Sequence, residues 1–249
     1  MTTAANYPRI VPAGDEAAVV EFGDVIDNAL NDSVYALAAA VEDARIPGVM
    51  ELVPSYRSLL VQYDVEELDF GTVSAELMRL LESMPRQAAA SPHQPQLIEI
   101  PVAYGGDFGP DLGTVAEHAG VPADEVVKIH SGAAYRVFML GFAPGFPYLG
   151  GMDSRIACPR LKTPRVRVPA GSVGIAEAQT GVYPNESPGG WQLIGRTAVR
   201  LFDPAADPPA VALPGSFVRF VPVDPAEFET ISQQVAAGSY RVAMRPADD

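Results

Sequence analysis

The segment His130–Arg196 decides the architecture of this chain. It reads HSGAAYRVFMLGFAPGFPYLGGMDSRIACPRLKTPRVRVPAGSVGIAEAQTGVYPNESPGGWQLIGR. Short apolar runs alternate there with glycine and proline, a pattern typical of strands separated by tight turns. Glycine and proline are densest around Phe142, Phe146 and Tyr148, and both residue types constrain how the backbone can turn. We therefore predict a β-barrel or sandwich with a stiff loop that presents aromatic rings.

The same pattern continues on both sides of this segment. We predict strands at Leu97–Val102, Tyr135–Leu140, Ser172–Ala176, Gln192–Arg196, Ser216–Val221 and Tyr240–Met244. Helices are predicted at Asp111–Ala119, Ala123–His130 and Asp224–Ala236. Residues 97–249 are therefore expected to form one β-rich domain with a C-terminal helix.

Residues 1–85 predict a separate, small α/β domain. The expected order is a strand at Ala17–Phe22, a helix from Asn31 or Asp32 to Ala44, strands at Val49–Pro54 and Ser58–Tyr63, and a helix from Thr72 or Ser74 to Leu81. This order is most of a ferredoxin-like pattern, whose final strand would be Leu97–Val102 or one borrowed from elsewhere. Residues 86–96 are predicted to be a linker, which completes an α+β chain of two domains.

Charge is distributed unevenly along the chain. The 249 residues carry 17 Lys and Arg against 31 Asp and Glu, a balance that makes nucleic acid an unfavourable partner. Residues 130–200 nevertheless hold eight basic and three acidic side chains, whereas residues 1–90 hold five basic and fifteen acidic ones. The basic segment indicates an anionic ligand or an acidic partner, unless its arginines pair with the acidic N-terminal region.

Other features narrow the class of protein. A single cysteine, Cys158, excludes an intrachain disulfide and is compatible with a reducing compartment. The sequence contains no apolar run long enough to cross a bilayer and no signal-peptide pattern, so we expect a cytoplasmic protein without a membrane partner. Its three histidines lack metal-ligand spacing, and no phosphate-binding P-loop motif occurs, so no bound metal is predicted.

Several side chains of the central segment are suited to binding or catalysis. His130 could serve as a general base, or it could only complement a helix dipole. Arg160, Lys162 and Arg165 match the oxygens of carboxylates or phosphates. The remaining candidates are Gln179 and Tyr183 as hydrogen-bonding groups, and Phe142, Phe146 and Trp191 as either pocket walls or ordinary core.

The blocks HSGAAYRVFMLGFAPGFPYLGG, PRLKTPRVRVPAGSVGIAEAQTGVYP and SPGGWQLIGRT closely resemble the KipI family. The members of this family are also called allophanate hydrolase subunit 1 or the B subunit of 5-oxoprolinase. GGDFGPDLGTVAEHAG at residues 105–120 and PSYRSLLVQYD at residues 54–64 also match family blocks. The resemblance covers roughly residues 8–223. It departs from the family pattern at residues 13–18 and at Ser216, where an acidic residue is expected.

The resemblance implies a small N-terminal domain and a cyclophilin-like β-barrel. It also implies a larger homologous C-type subunit, a third lactam-hydrolase subunit, and ATP-dependent cleavage of a small amide or lactam, most naturally 5-oxoproline. ATP would be shared with the partner, with Mg²⁺ only as its counter-ion. His130 and Gln179 would act on the amide, Tyr148, Arg160, Lys162, Arg165 and Tyr183 would bind substrate, and Phe142, Pro144, Phe146 and Trp191 would form the pocket or partner loop.

Two other functions are compatible with the same resemblance. One is a carboxyltransferase or allophanate hydrolase-type subunit of urea or amide metabolism, which predicts a biotin-carrying partner. The other is a non-catalytic regulatory module, in which Phe142, Phe146 and Tyr148 would be hydrophobic anchors for a partner such as a histidine kinase.

Overall fold

The computed structural model describes residues 6–84 and 95–247, and the chain divides into two compact units, Met1–His93 and Gln94–Asp249. The predicted linker at residues 86–96 lies almost wholly outside the described residues. Its last residue, Gln96, already begins a strand.

The first unit is a four-stranded antiparallel sheet covered by two helices. It contains β1 Arg9–Pro12, β2 Ala17–Glu21, α1 Asn28–Ala44, β3 Val49–Pro54, β4 Ser58–Tyr63 and α2 Phe70–Ser83. The strand order is β1-β2-β4-β3. Alternate residues of β4, Leu59 and Val61, are fully buried against Leu37 of α1 and Leu77 of α2, which is the pattern of a sheet with one covered face.

Helix starts in this unit are set by aspartates. The first helix was predicted to begin at Asn31 or Asp32, but it begins at Asn28 because the Asp27 carboxylate accepts hydrogen bonds from the Ala29 and Leu30 N–H groups. Asn31 is instead buried, and its side-chain amide donates to the carbonyls of Ser55 and Tyr56.

The fourth strand of this sheet was predicted to be either Leu97–Val102 or a strand from elsewhere in the chain. The first alternative is wrong because these residues lie in β5 Gln96–Tyr104 of the second unit, and the second agrees with the structure. The edge next to β2 is occupied by β1, through four antiparallel residue pairs. The ferredoxin-like classification of the unit is therefore not confirmed.

The second unit contains the remaining strands and helices. Its strands are β5, β6 Ala134–Leu140, β7 Pro147–Gly150, β8 Arg165–Val168, β9 Ser172–Ala176, β10 Gln179–Val182, β11 Ser187–Gly189, β12 Gln192–Arg196, β13 Phe217–Val223 and β14 Ala243–Pro246. Its helices are α3 Leu112–Ala119, α4 Ala123–Gly132 and α5 Pro225–Ala236, with a short 3₁₀ turn at Ser154–Ile156. The last strand begins three residues later than predicted from Tyr240–Met244.

Seven of these strands close into a mixed β-barrel. Their order is β12-β9-β10-β7-β6-β13-β5, and β5 also pairs with β12, which closes the ring. The β5–β13 pair is parallel and the other neighbours are antiparallel. β14 extends β5, while β8 and β11 form a separate two-stranded ribbon. The α+β class and the predicted barrel are confirmed, and the cyclophilin-like description stays a prediction.

The strands β9, β10 and β12 have apolar residues on both faces. Ile175 and Ile194 point into the main core of the barrel, whereas Ala176 and Leu193, one position away, belong to a second cluster around Phe146. Successive side chains of a strand point to opposite faces, so this part of the wall separates two environments. The second cluster is the setting of the candidate site.

Candidate functional site

Five aromatic side chains form a cluster on one face of this barrel wall: Phe142, Phe146, Tyr148, Tyr183 and Trp191. Their rings meet edge to face, with centroids from 5.2 Å apart for Phe146–Tyr148 to 6.3 Å for Phe142–Tyr183. This geometry aligns the positive edge of one ring with the negative face of another. All five residues come from the segment that the sequence analysis singled out.

A glycine in β10 makes room for the cluster. A Cβ atom at Gly181 would lie 3.0 Å from Cζ of Phe146 and 3.2 Å from Cζ3 of Trp191. These two rings therefore rest directly on the backbone of the strand. Any side chain at this position would push the rings away from the barrel wall.

Phe142 has an uncommon backbone conformation. Its φ is 65°, in the left-handed region, and the Ala143 N–H donates to the Gly141 carbonyl at 2.7 Å across it. That bond closes a γ-turn of the rare, strained type. The Phe142 side chain is 64% exposed although it is a large apolar group. Strain and an exposed aromatic ring together are typical of a binding site rather than of a core.

The cluster surrounds a small pocket of about 110 Å³. Its lining consists of Phe142, Phe146, Tyr148, Arg160, Tyr183, Pro188, Gly189, Gly190 and Trp191. Gly189 approaches closely, because a Cβ there would lie 2.4 Å from the Tyr183 hydroxyl oxygen. The structure thus brings together six of the side chains predicted to be functional, and the wall formed by β11 was not predicted.

Two polar side chains of the pocket, Arg160 and Tyr183, contact Trp191. The Arg160 guanidinium lies over the Trp191 ring, 5.9 Å from its centroid, and the side chain is exposed. Burial raises the pKa of the Tyr183 phenol, while a hydrogen bond with the Trp191 backbone and the charges of Arg160 and Arg165 lower it. Because the burial effect is largest, Tyr183 is a neutral hydrogen-bond donor near pH 7.

Arg165 stands behind the pocket rather than in it. Its Nη2 donates to Oδ1 of Asp111 at 2.6 Å, and its Nη1 donates to the Trp191 carbonyl at 3.3 Å. The other Asp111 oxygen accepts the Leu193 N–H at 2.6 Å. Asp111 thereby connects Arg165 of β8 to Leu193 of β12, close to Trp191. Arg165 does not line the pocket, and its contact with substrate stays a prediction. Sequence reasoning missed the ion pair because Asp111 was interpreted only as a helix start.

Three further predicted residues do not line the pocket. Lys162 is exposed in the segment before β8, and Pro144 lies on the side of its loop away from the pocket. Gln179 is half-buried at the start of β10, on the same face of that strand as Gly181.

His130 lies inside the barrel. It is fully buried, and its ring stacks on Phe220 with centroids 4.6 Å apart. Thr180 Oγ1 donates to the Gly174 carbonyl and therefore accepts from Nε2 of His130 at 2.8 Å, which leaves Nδ1 to accept from the Tyr104 hydroxyl at 2.7 Å. Burial lowers the pKa of His130 to about 3. A neutral imidazole with both nitrogens engaged is placed to stabilise the core, and its position gives no contact with the pocket to support the predicted role as a base.

The basic segment pairs with acidic residues of its own unit. Ion pairs join Arg155 to Asp153, Arg165 to Asp111 and Arg167 to Glu186. Within residues 6–84 and 95–247, no helix is long and apolar enough to span a membrane, and no group of three or more His, Cys, Asp or Glu is arranged to hold a metal ion.

A β-barrel unit with a ring-lined pocket on its wall is typical of domains that bind small ligands. Comparison with known proteins refines this class: residues 8–212 match the model of the carboxyltransferase domain, subdomains C and D. The chain belongs to this carboxyltransferase-domain family, which confirms the resemblance observed in the sequence.

Two relatives and one solved structure are similar to most of this chain. The chain is 42% identical to the B subunit of 5-oxoprolinase from Bacillus subtilis, over 91% of this chain and 97% of that protein. It is 43% identical to the B subunit of 5-oxoprolinase from Escherichia coli O157:H7, over 84% and 93% respectively. A crystal structure named TTHA0988 superposes with a TM-score of 0.73 at 37% identity, covering 84% of this chain but only 40% of that longer chain.

Proposed function

We propose that this chain is the B subunit of a 5-oxoprolinase and that the aromatic pocket binds the small cyclic amide. The observation that carries the proposal is the convergence of five rings and one guanidinium on a pocket sized for a single small ring. The family relationship supplies the reaction, because the similar proteins of two bacteria carry this name.

The pocket chemistry fits a lactam that carries a carboxylate. Flat aromatic walls accept the apolar edge and faces of such a ring, while Arg160 offers a forked donor to the carboxylate. The Trp191 backbone interacts with the Tyr183 oxygen, so the phenolic hydrogen is left to donate to the amide carbonyl. Charge-assisted contacts of this kind contribute about 1.5–3 kcal/mol each.

The pocket itself supplies no general base. Arg160 is cationic, Tyr183 is neutral, and the rest of the lining is aromatic, proline or glycine apart from the Tyr148 hydroxyl. Hydrolysis therefore needs groups from outside this pocket, which favours an active site completed by a larger C-type subunit and a third lactam-hydrolase subunit. We further propose that the complex consumes ATP with Mg²⁺ as its counter-ion and is cytoplasmic. Roles for Gln179 and Lys162 stay predictions.

A carboxyltransferase role is the second candidate. The matching family model describes such a domain, and a urea amidolyase of Saccharomyces cerevisiae is 23% identical over 94% of this chain, which is 14% of that protein. In this role the pocket would take a urea-like amide, with a biotin-bearing partner. A regulatory binding module is the third candidate, for which the exposed Phe142 would be the anchor.

The test is to co-express this chain with its two partner subunits and measure ATP hydrolysis with 5-oxoproline, allophanate and urea in turn. Hydrolysis stimulated by 5-oxoproline, and lost when this chain is omitted, is the expected result. Stimulation by urea or allophanate instead would favour the carboxyltransferase role. A stable complex that turns over none of the three would favour the regulatory module.

Two variants localise the substrate within the complex. Arg160→Ala should raise the KM for 5-oxoproline by about ten-fold or more while the complex still assembles, since it removes one charge-assisted contact. Arg155→Ala is the matched control, because Arg155 is an exposed arginine outside the pocket. An unchanged KM in Arg160→Ala would place substrate binding elsewhere.

A further inference from the structure

A second, larger groove crosses the same unit, with a volume of about 1310 Å³. One wall is the irregular segment that follows β12, including Val199 and Phe202. The opposite wall is one face of α5, with Phe228 and Val235, together with the chain that leads to β14. We call it the arginine groove, after Arg196, Arg200 and Arg241, which contribute to its lining.

The charge of this groove opposes that of the whole chain. The protein has almost twice as many acidic as basic side chains, yet the groove gathers three arginines and a single carboxylate, Asp203. Asp203 lies 3.9 Å from Arg200 and offsets only one of the three charges. A concave surface with a local positive excess attracts anions even when the protein is acidic.

Two of the guanidinium groups are held by backbone carbonyls. Arg196 donates through Nε to the Ala170 carbonyl at 3.1 Å, and Arg241 donates through Nη1 to the carbonyls of Gly238 and Tyr240. Each guanidinium carries five N–H groups, so these bonds fix its position and use only a minority of its donors. Fixed forks lose less entropy when they bind an oxyanion.

The groove also has an apolar part. Val199, Phe202, Phe228, Val235 and Val242 line it alongside the arginines. A small inorganic anion would contact only the guanidinium groups. An elongated ligand with a charged chain and a flat apolar end would use both kinds of wall.

The groove and the aromatic pocket share a ridge. Phe142 faces the pocket, whereas Pro144 in the same loop lines the groove. Likewise Tyr183 lines the pocket and the next residue, Pro184, lines the groove. Ligands in the two sites would therefore lie on either side of one loop and one strand end.

We propose that the arginine groove binds the polyphosphate of a nucleoside polyphosphate, with the apolar wall taking the base. Three forks distributed along one groove match a chain of phosphate groups, whereas a single carboxylate would occupy only one of them. This inference rests on the proposed function in one respect, because an ATP-dependent amide hydrolase needs a nucleotide beside its amide substrate.

The experiment measures binding, not turnover. The full chain, labelled with ¹⁵N, is titrated with ATP, inorganic triphosphate and adenosine, and backbone amide shifts are followed by NMR. ATP should shift amides of residues 196–204 and 232–242, triphosphate should shift the same region with lower affinity, and adenosine should bind weakly. Arg200→Ala and Arg241→Ala should each weaken ATP binding by about ten-fold.

Matched variants and probes make each result decisive. Arg155→Ala removes an arginine of similar exposure outside the groove, and its ATP affinity should stay within two-fold or so of the parent chain. Shifts confined to the aromatic pocket, no saturable shifts at all, or equal ATP affinity in both groove variants would overturn the proposal. Triphosphate that binds as tightly as ATP would overturn the base contact. Normal turnover by a complex that carries the groove variants would sink this inference while leaving the proposed function intact.

Discussion

The two faces of β10 have different environments. Thr180 points into the barrel and bonds to His130, while Gly181, the next residue, supports Phe146 and Trp191 on the opposite face. The inner face is sealed, and its polar groups are paired with one another. The outer face carries an exposed ring, a strained turn and a cation.

This difference shows how a single motif can combine two roles. Within residues 130–196, the sequence alone does not distinguish core positions from pocket positions. Strand alternation distributes the side chains between a core that stabilises the barrel and a pocket that can bind a ligand. A histidine next to a glycine-rich loop is therefore not automatically part of the site. Its side of the wall decides its role.

Removing the buried His130 side chain should destabilise the inner face of the barrel wall. His130→Ala deletes a stacked ring and two hydrogen bonds, so we expect the free energy of unfolding of the second unit to fall by about 3–5 kcal/mol. Urea denaturation followed by circular dichroism measures the loss. His118→Ala, an exposed histidine on α3, should change stability by less than about 0.5 kcal/mol. Full stability combined with lost turnover in His130→Ala would instead restore its catalytic role.

Lowering the pH should decrease the free energy of unfolding of the second unit through His130. The pKa of His130 is about 3 in the folded protein, below the ordinary value of 6.5, so the unfolded chain binds an extra proton between these values. Stability from this group is present above pH 6.5 and is lost as pH falls towards 3, by about 1.4 kcal/mol per pH unit. Denaturation of the parent chain and His130→Gln over this range should show a flatter dependence in the variant. Parallel curves would contradict the buried, neutral histidine.

Removing the ion pair between Asp111 and Arg165 should alter only the pocket on the outer face of the wall. Asp111→Asn leaves Arg165 without its ion pair and should cost about 1.5–3 kcal/mol. Trp191 is the lone tryptophan and is buried beside this pair, so its fluorescence emission should shift to longer wavelength. Arg167→Ala breaks an exposed pair with Glu186 in the adjoining ribbon and should leave the emission unchanged. An unaltered Trp191 emission in Asp111→Asn would show that Asp111 does not position the pocket.

The smallest expected effect distinguishes the contribution of the Phe142 ring from that of its strained backbone. Both Phe142→Gly and Phe142→Ala remove a largely exposed ring, but only glycine relieves the positive φ. Glycine should therefore be more stable than alanine by about 1 kcal/mol, whereas both variants should bind a pocket ligand more weakly than the parent chain. Thermal unfolding and calorimetric titration compare them. Equal stability of the two variants would argue against a strained turn.

Local patterns in the sequence were sufficient for much of the fold. The predicted bounds of β3, β4, β9 and β12 agree with the structure, because each is a short apolar run with turn residues on both sides. The strands β1, β7, β10 and β11 were not predicted. β11 is only three residues long, contains a proline and pairs with β8, so no local pattern reveals it.

The candidate site was predicted in composition but not in arrangement. Phe142, Phe146, Tyr148, Arg160, Tyr183 and Trp191 do line one pocket. Arg165 was interpreted as a substrate contact because a fork suits a carboxylate, and the carboxylate it binds is Asp111, 54 residues earlier. Pairs so distant in sequence are invisible to spacing arguments.

The amino-acid sequence by itself determined the family, the β-rich second unit and the segment that holds the pocket, since these depend on residue types and local periodicity. Only the tertiary structure decided which side of the barrel wall each side chain faces. His130, in the last turn of α4, contacts Tyr104 of β5, Thr180 of β10 and Phe220 of β13 inside the closed ring, whereas the aromatic cluster lies on the other face of the wall. That choice depends on the register of strands distant in sequence, and register decides which side chains are buried in the core and which remain available to a ligand.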